Sequence, residues 1–391
     1  MRILLIAPQP FYQERGTPIA VDLLLRVLSA RGDEVHVATF HEGTDVTYPG
    51  VTLHRIKLPP LARGVPPGFS AKKLICDAAL FFLVNRLVRE VQPQIIHAVE
   101  ESVFFARRIW RRRGIPYVYD MDSSLARQLV ESKPVLQGLG KVFQGLEAAA
   151  CRDAAYVVPV CEALAGIARA AGAKRVTVLR DISLLGRMTS TAEPDVRTTL
   201  GLRGPIFIYV GNLEKYQGVD LLLESWVRAT AKQPEMSLVI VGGVAAHIAV
   251  YRQRAAELGV AASVHFIGPR PVGALASLLA QADVLVSPRT RGNNTPMKIY
   301  SYLDAGKVVL ATDLPTHTQV LTPACARLAP AEPVAFGAAL AELAGDAALR
   351  ARLGAAAQHE AQAKYSFDVF RATVHGIYDE LEKQMKGKEI C

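Results

Sequence analysis

The chain has 391 residues, of which 50% are hydrophobic and 21% are charged, which describes an ordinary globular protein of two or three domains. Basic residues outnumber acidic ones by 45 to 36, and the net charge of +9 favours anionic partners: phosphates, nucleic acid or an acidic membrane face. The five cysteines are odd in number and lack metal-ligand spacing, which predicts reduced packing thiols and argues against a disulfide framework or a metal centre.

The first residues, MRILLIAPQPF, predict a buried strand, because the apolar run is too short for a signal peptide and two prolines interrupt it. The longest other apolar run, residues 78–84, is much shorter than the roughly 20 residues that cross a membrane. We therefore expect a cytoplasmic protein without a transmembrane helix.

Short apolar runs alternate with helical patterns through the first half of the chain. A helix is predicted after the first strand, because Ala20, Leu23, Leu24, Val27 and Leu28 form one apolar stripe. Alternating strands and helices predict a parallel sheet covered on both faces. The predicted strands of this half are residues 3–7, 35–39, 51–56, 95–98, 117–120, 156–160 and 176–179.

A polar, turn-rich stretch at residues 181–193 separates this half from a second one with the same alternation. We therefore predict two doubly wound Rossmann-like α/β domains that face each other across a ligand cleft. The predicted boundaries are 1–183 and 184–364, with an amphipathic C-terminal helix in 365–391. The predicted strands of the second half are residues 206–210, 238–241, 264–267, 284–287 and 308–311.

The segment NNTPMKIYSYLDAGK predicts a short helix with Thr295 as its N-cap, Pro296 at its first position and Gly306 after its end. Lys298 lies in the first turn of this helix, and Arg289 and Arg291 lie just upstream. Cations near the positive end of a helix dipole are unfavourable by themselves. The simplest explanation is a bound anion, and phosphate is the usual one. The alternative is a surface helix whose arginines face water.

Three further segments place turns after strands: YVGNLEKYQGVDLLLESW, LVIVGG and FIGPRPVGALASLLAQADVLVSPR. In a parallel sheet these turns share one rim. Together with the first half, their order and spacing resemble the family-4 retaining glycosyltransferases of the two-Rossmann GT-B fold. RGTPIAVDLLLRVLSARGDEVHVATF resembles the first glycine loop and helix of that family, and NNTPMKIYSYLDAGKVVLATDLPTHTQVL resembles a donor-site segment. YSFDVFRATVHGIY resembles the C-terminal helix that crosses back to the first domain.

The resemblance implies a metal-independent, retaining hexosyl transfer from a nucleoside-diphosphate sugar, a UDP-sugar, to a glycan or lipid-linked acceptor. It implies no other cofactor and a role in glycoconjugate or polysaccharide biosynthesis. The implied catalytic residues are Asp122, Lys215 and Lys298, and the implied acceptor-side residues are Glu14, Arg15, His97 and Ser123. The implied donor-binding residues are Gly16, Thr17, Gly211, Asn212, Gln217, Gly243, Pro269, Arg270, Arg289, Arg291, Asn293, Asn294, Thr295, Pro296, Met297, Ile299 and Ser301.

The chain departs from the family pattern at charged positions. Asn293 and Ser301 stand where the family commonly has two glutamates, and Asn212 and Gln217 stand where it has an arginine and a lysine. Asp122 stands where the family usually offers a histidine. Lys215, Arg289, Arg291 and Lys298 can replace the missing cations. The departures leave open an altered mechanism or a non-catalytic scaffold or partner subunit of the same fold.

Other readings of these residues stay open. In the alternative interpretation, Asp122 caps a helix that begins near Ser124, and His97 is a histidine at the end of a strand without a role in acceptor binding. A nucleotide-sugar epimerase shares the two-domain architecture. The sequence lacks the glycine fingerprint of a nicotinamide-dependent enzyme. It also lacks the aromatic residues between basic ones that a nucleic-acid-binding protein uses for stacking.

Two basic and apolar stretches of the first domain, residues 68–91 and 106–114, predict peripheral docking on the inner face of an anionic membrane. The alternative is a pair of amphipathic helices packed on the sheet. The residues predicted to reach lipid are Lys72, Lys73, Phe81, Phe82, Arg86, Arg107, Arg108, Trp110, Arg111, Arg112 and Arg113.

Overall fold

The computed structural model describes residues 1–14, 16–59, 64–65, 70–125, 140–186, 191–292 and 294–389. The chain divides into two compact units. Unit 1 comprises Met1–Arg180 together with Phe370–Cys391, and unit 2 comprises Asp181–Val369. Each unit is described separately below.

The described residues of unit 1 form a sheet of six parallel strands in the order β3-β2-β1-β4-β5-β6. The central strands are almost fully buried, as expected for parallel strands covered on both faces. Strands β2 and β3 extend the sheet on one side of β1, and β4, β5 and β6 extend it on the other, so the strand order reverses between β1 and β4, which pair directly. The bounds are β1 Arg2–Ala7, β2 Glu34–Thr39, β3 Val51–Arg55, β4 Ile95–Val99, β5 Tyr117–Met121 and β6 Tyr156–Pro159.

Helices follow these strands in alternation. The longest of the first five helices is α2 (Ala71–Val91). Its residues Cys76, Leu80, Val84 and Leu87 recur at helical spacing and are buried in the core of the unit. Ser70 caps that helix by accepting a hydrogen bond from the Lys73 amide at 3.2 Å. The bounds are α1 Gly16–Ala30, α2 Ala71–Val91, α3 Val103–Arg113, α4 Gly140–Asp153 and α5 Glu162–Ala170.

The described residues of unit 2 repeat this topology, with six parallel strands in the order β12-β11-β10-β7-β8-β9. The order reverses between β7 and β10, which pair directly. The strand bounds are β7 Ile206–Val210, β8 Ser237–Val241, β9 Val264–Gly268, β10 Val284–Ser287, β11 Val308–Thr312 and β12 Arg327–Ala329. The helix bounds are α6 Val196–Leu200, α7 Val219–Thr230, α8 Ala245–Glu257, α9 Leu275–Ala280, α10 Lys298–Asp304, α11 Pro315–Thr318, α12 Pro333–Gly345 and α13 Ala347–Lys364.

The last helix, α14 (Phe367–Glu389), is anchored to unit 1. The Tyr378 hydroxyl lies 2.8 Å from Nδ1 of His97 at the centre of the sheet. Charged pairs continue the attachment, because Arg31 contacts Asp379 and Glu382 at 2.8 Å each. The buried apolar face of α14 consists of Phe370, Val374, Ile377, Tyr378 and Leu381.

The prediction of two doubly wound α/β sheets is confirmed. One predicted strand is wrong: residues 176–179 form no strand, and they meet β6 through an isolated bridge between Val157 and Val176 and a hydrogen bond from the Leu179 amide to the Pro159 carbonyl at 3.0 Å. These residues lie at the edge of the sheet beyond β6, where backbone hydrogen-bond partners are available on one side only. Strand β12 was not predicted, because its three residues are too few to show a period.

Candidate functional site

In each unit the reversal of strand order opens a crevice at the carboxyl ends of two strands, where ligands of doubly wound sheets bind. In unit 2 the crevice lies after β7 and β10. Gly211 has a φ of +151°, and a Cβ there would lie 3.0 Å from the Tyr209 hydroxyl and 3.4 Å from Nζ of Lys298. Gly218 has a φ of +76°, and a side chain there would overlap the Pro288 carbonyl. Glycines therefore allow the loops after β7 and β10 to meet.

Lys298 is the first residue of α10, two residues later than the predicted first position at Pro296. Its Nζ is buried and has no hydrogen-bond partner among the described residues. The nitrogen lies 4.0 Å from the centroid of the Tyr209 ring. Burial, and secondarily the Arg289 charge, lower the pKa of Lys298 to about 7. The site thus holds a buried amine whose protonated form lacks a counter-charge among the described residues.

Thr295 does not cap this helix, and the N-cap position is occupied by Met297 without a side-chain bond. Pro296 precedes the helix, and its carbonyl accepts the Ile299 amide in a tight turn. The prediction of a cap at Thr295 is therefore wrong. Gly306 follows the helix with a φ of +67°, as expected for a residue just past a helix end. With seven residues in α10, the case for an anion depends on side chains, not on the helix dipole.

Arg289 lies beside Lys298, and hydrogen bonds and an aromatic ring hold its guanidinium. Its Nε donates to the Arg291 carbonyl at 2.7 Å, and one terminal nitrogen donates to the Asn294 carbonyl at 3.3 Å. The Tyr216 ring lies beneath the guanidinium at 5.2 Å. Burial lowers the pKa of Arg289 from its usual value, although arginine stays protonated. Two of the three predicted cations therefore converge, whereas the Arg291 side chain is exposed.

A buried histidine supports this loop. Nε2 of His317 lies 2.9 Å from the Ser287 hydroxyl, and Nδ1 lies 3.0 Å from the Thr312 hydroxyl. The Thr312 hydroxyl donates to the Arg289 carbonyl at 2.5 Å. Burial lowers the pKa of His317 to about 3, so the imidazole is neutral. Sequence reasoning missed His317 and Thr312, although both lie in a quoted donor-site segment.

Two more polar atoms on this rim are buried without a hydrogen-bond partner in the described part of the chain. They are Oε1 of Gln217 and Oγ1 of Thr295, whose residues are 8% and 4% exposed. Buried polar groups in folded proteins are normally paired, and leaving one unpaired costs about 1–3 kcal/mol. The unpaired atoms of Gln217, Thr295 and Lys298 are therefore candidate ligand contacts.

The remaining predicted donor residues differ in exposure. Asn212, Lys215 and Pro269 are exposed at strand ends, and Gly243 follows β8 with a φ of +81°. Arg270 is exposed but forms an ion pair with Glu193 at 3.0 Å.

Three residues of the predicted α10 segment have other surroundings. Ile299 belongs to the hydrophobic core. The Ser301 hydroxyl is buried and accepts the Leu184 amide at 3.1 Å. Met297 is half-buried, and Asn293 lies outside the described residues.

In unit 1 the predicted residues are spread along the carboxyl edge of the sheet. Gly16 begins α1, Thr17 follows it, and Glu14 is exposed; Arg15 lies outside the described residues. Asp122 and Ser123 are half-buried directly after β5. Both ring nitrogens of His97 have partners inside the unit, Tyr378 at 2.8 Å and Asp120 at 3.1 Å. His97 therefore links β4, β5 and α14.

Acidic residues follow β4 at the same edge. Glu100 has a φ of +49°, which is uncommon for a residue with a side chain. Burial, and then the Glu101 charge, raise the pKa of Glu100 to about 7. Lys73 forms an ion pair with Glu101, lies 3.8 Å from Asp77 and donates to the Pro8 carbonyl at 2.8 Å. Burial raises the pKa of Asp77 to about 7.

Within the described ranges, no group of three or more histidine, cysteine, aspartate or glutamate side chains has the arrangement of a metal site. Nor does any described helix combine the length and apolarity needed to cross a membrane.

Two family models match the chain in tandem. The model described as "Glycosyl transferase 4-like domain" matches residues 15–180, and the model described as "Glycosyl transferases group 1" matches residues 195–360. The chain belongs to the family-4 glycosyltransferases of the GT-B fold. The rim of unit 2 that carries Lys298 and Arg289 thus lies within the part of the chain that matches the group 1 model.

Curated relatives of this chain match over parts of their length. A D-inositol 3-phosphate glycosyltransferase of Jonesia denitrificans is 27% identical over 193 residues, 47% of this chain and 45% of the relative. A phosphatidyl-myo-inositol mannosyltransferase of Mycobacterium tuberculosis is 27% identical over 185 residues, 45% of this chain and 47% of the relative. The matches thus span less than half the length of these relatives.

Solved structures share the whole fold. Sucrose-phosphate synthase from Thermosynechococcus elongatus superposes with a TM-score of 0.78 and 19% identity, covering 98% of this chain and 99% of that one. Anabaena HepE in complex with UDP-glucose superposes with a TM-score of 0.72 and 17% identity, covering 97% and 100%. At such identities the likeness establishes the fold alone.

Proposed function

We propose that this glycosyltransferase moves a hexose from a UDP-sugar to a glycan or lipid-linked acceptor, with retention of configuration and without a divalent metal. The observation that carries the donor is the pair of Lys298 and Arg289. Both cations lie on one rim, and neither forms an ion pair with a carboxylate in the described part of unit 2. A diphosphate supplies the charge that this pair lacks. The UDP-glucose bound to HepE makes UDP the first nucleotide to test.

In the proposed reaction the bond between the sugar and the diphosphate breaks, and negative charge grows on the leaving diphosphate. Lys298 and Arg289 stabilise that charge, which is the role a divalent metal has in other transferases. The guanidinium of Arg289 needs no reorganisation, because hydrogen bonds to Asn294 and Arg291 already hold it. Oε1 of Gln217 accepts a hydrogen bond from a ligand hydroxyl, and the Thr295 hydroxyl donates or accepts one.

Calorimetry with UDP and GDP tests the donor site. We expect UDP to bind more tightly than GDP, in EDTA as well as in magnesium, and binding to weaken as salt is added. Loss of binding in EDTA with recovery in magnesium would contradict the metal-independent part of the proposal. Absence of binding by both nucleotides would contradict the donor site itself.

A non-catalytic scaffold is the second candidate. Ser301, at a position where the family commonly has a glutamate, uses its hydroxyl to accept the Leu184 amide. A scaffold binds nucleotide but turns nothing over, so a donor-hydrolysis assay separates the two candidates. The epimerase alternative predicts conversion of the free sugar nucleotide without an acceptor.

For the acceptor we propose a lipid-linked molecule, reached by docking of unit 1 on an anionic membrane. The docking surface is the α2–α3 face, defined by Leu74, Ile75, Phe82, Arg86, Arg108, Arg111, Arg112 and Arg113. Leu74, Ile75 and Phe82 are 52%, 55% and 73% exposed on one side of α2. Large apolar side chains beside arginines suit an interface of acyl chains and anionic headgroups. The mannosyltransferase relative has a name that specifies a phosphatidyl-inositol acceptor.

Three residues predicted to reach lipid are held inside unit 1 instead. Lys73 is paired with Glu101, and Arg107 forms an ion pair with Asp153 at 2.7 Å. The Trp110 ring packs edge-on against the Tyr117 ring at 6.5 Å. The prediction is therefore corrected for these side chains, and the α2–α3 face excludes them.

Liposome flotation tests this surface. We expect the protein to float with vesicles containing phosphatidylglycerol at low salt and to be released at high salt. Phe82→Ser should reduce flotation, whereas Val250→Ser, an exposed valine of unit 2, should not. No flotation of the folded protein at any salt would favour a soluble phosphorylated acceptor, the class named for the Jonesia relative.

A further inference from the structure

The surroundings of Lys298 are unusual for a lysine. Its buried Nζ is in contact with an aromatic ring, Tyr209, and lies near the guanidinium of Arg289. The Tyr216 phenol faces Arg289, and the neutral His317 lies behind the same loop. No carboxylate in the described part of unit 2 forms an ion pair with Lys298 or Arg289. The protonated form of Lys298 therefore has no ion-pair partner among the described residues, and the neighbouring charge of Arg289 disfavours it.

A buried ammonium next to a permanent positive charge readily loses its proton. Burial, and secondarily the Arg289 charge, together lower the pKa of Lys298 to about 7. About half of the unliganded molecules therefore carry a neutral amine at pH 7, and most do so at pH 8. A diphosphate reverses both effects, because its negative charges favour the protonated form of the amine.

We propose that unit 2 takes up one proton at Lys298 when it binds its diphosphate ligand. The proton comes from the solvent buffer and forms one N–H bond on Nζ, and no group leaves the protein. The inference deepens the proposed function and rests on it, since it concerns the same donor site. It assigns Lys298 the role of a ligand contact that becomes protonated when the ligand binds.

The sign of the pH effect follows from this assignment. Below pH 7 Lys298 is already protonated, so the affinity does not depend on its titration. Above pH 7 each bound ligand must first recruit a proton, and the Kd rises by up to about tenfold per pH unit. The rise ends at the pKa of Lys298 in the complex.

Isothermal titration calorimetry in two buffers of different ionisation enthalpy, HEPES and Tris, measures the proton directly. The probes are UDP-glucose and GDP-mannose, because both of their phosphates are esterified and lack the second ionisation near pH 6 that a terminal phosphate has. We expect uptake of close to one proton at pH 8 and of about half a proton at pH 7. The Kd should rise about tenfold between pH 7.5 and 8.5.

Two variants assign the proton to its residue. Lys298→Arg keeps a charge that does not titrate, so its binding should take up no proton and should not change between pH 7 and 8.5. Lys298→Met should bind more weakly at pH 7, again without pH dependence. Lys232→Arg, an exposed lysine of the same unit, should behave as the wild type.

The outcomes separate this inference from the proposed function. Binding without proton uptake between pH 7 and 8.5 would overturn the inference and leave the donor site intact. Uptake that persists in both Lys298 variants would also overturn it, because the proton would then reside elsewhere. Failure of both probes to bind at pH 6.5, where Lys298 is protonated, would overturn the donor site and the inference together.

Discussion

The Thr312 hydroxyl donates a 2.5 Å hydrogen bond to the carbonyl of Arg289. Because that hydroxyl is the donor, the neighbouring Nδ1 of His317 carries its own proton, and Nε2 accepts from the Ser287 hydroxyl. A fixed tautomer of a buried histidine thereby holds the end of β11 against the loop that carries the donor-site guanidinium. This contact holds the Arg289 backbone, and hydrogen bonds to Arg291 and Asn294 hold its side chain.

Thr312→Val should weaken UDP binding several-fold and lower the free energy of unfolding by about 1–3 kcal/mol, since the Arg289 carbonyl loses its partner in a buried setting. The matched control is Thr312→Ser, which keeps the hydroxyl and should keep most of the affinity. Calorimetry and thermal melts measure the two effects. Equal affinity in the valine and serine variants would show that the contact does not position Arg289.

Lys298→Met should weaken UDP binding at least tenfold at pH 6.5 and raise the melting temperature of the unliganded protein. A charge-assisted contact is worth about 1.5–3 kcal/mol in binding, whereas an unpaired buried charge destabilises the fold. Arg289→Ala should reduce both affinity and stability, because it also removes hydrogen bonds to Arg291 and Asn294. Lys232→Met is the control. Unchanged UDP affinity in both site variants would remove these residues from the donor site.

Asp122→Asn should reduce sugar transfer strongly and leave nucleotide binding nearly unchanged. Asp122 follows β5 in unit 1, whereas the unpaired donor-site atoms belong to unit 2. Asp45→Asn, at an exposed residue of unit 1, is the control. Transfer rates and UDP affinities of the two variants test the assignment. Full turnover by Asp122→Asn would reduce Asp122 to a structural residue.

Glu100→Gln should flatten the pH dependence of stability. The pKa of Glu100 is raised to about 7 in the folded protein, so the folded state holds a proton that the unfolded state releases near its lower usual pKa. The contribution of Glu100 to stability therefore falls as the pH rises from about 4.5 to 7. Melting temperatures at pH 5 and pH 8 should differ less in Glu100→Gln than in the wild type. Glu90→Gln, at an exposed glutamate, should leave the difference as it is.

The sequence by itself determined the fold class. Short apolar runs and period-3.6 apolar patterns are local properties of the chain, and they located every described strand of both sheets except β12. They also predicted one strand, at residues 176–179, that the structure does not form. The family resemblance followed from glycines and cations at strand ends, whose spacing is also visible along the chain.

Only the tertiary structure decided which of those residues share a site. His317 and Thr312 support Arg289 through contacts between β10, β11 and α11, and nothing in their local sequence indicates this. The same holds for the start of α10, where the turn at Pro296 delays the helix to Lys298. Charge is a property of one residue, but its burial and pairing belong to the fold. Lys73, Arg107 and Lys298 are equally basic in the sequence. In the described structure, Lys73 and Arg107 pair with carboxylates, and Lys298 is the one of these three without an anionic partner.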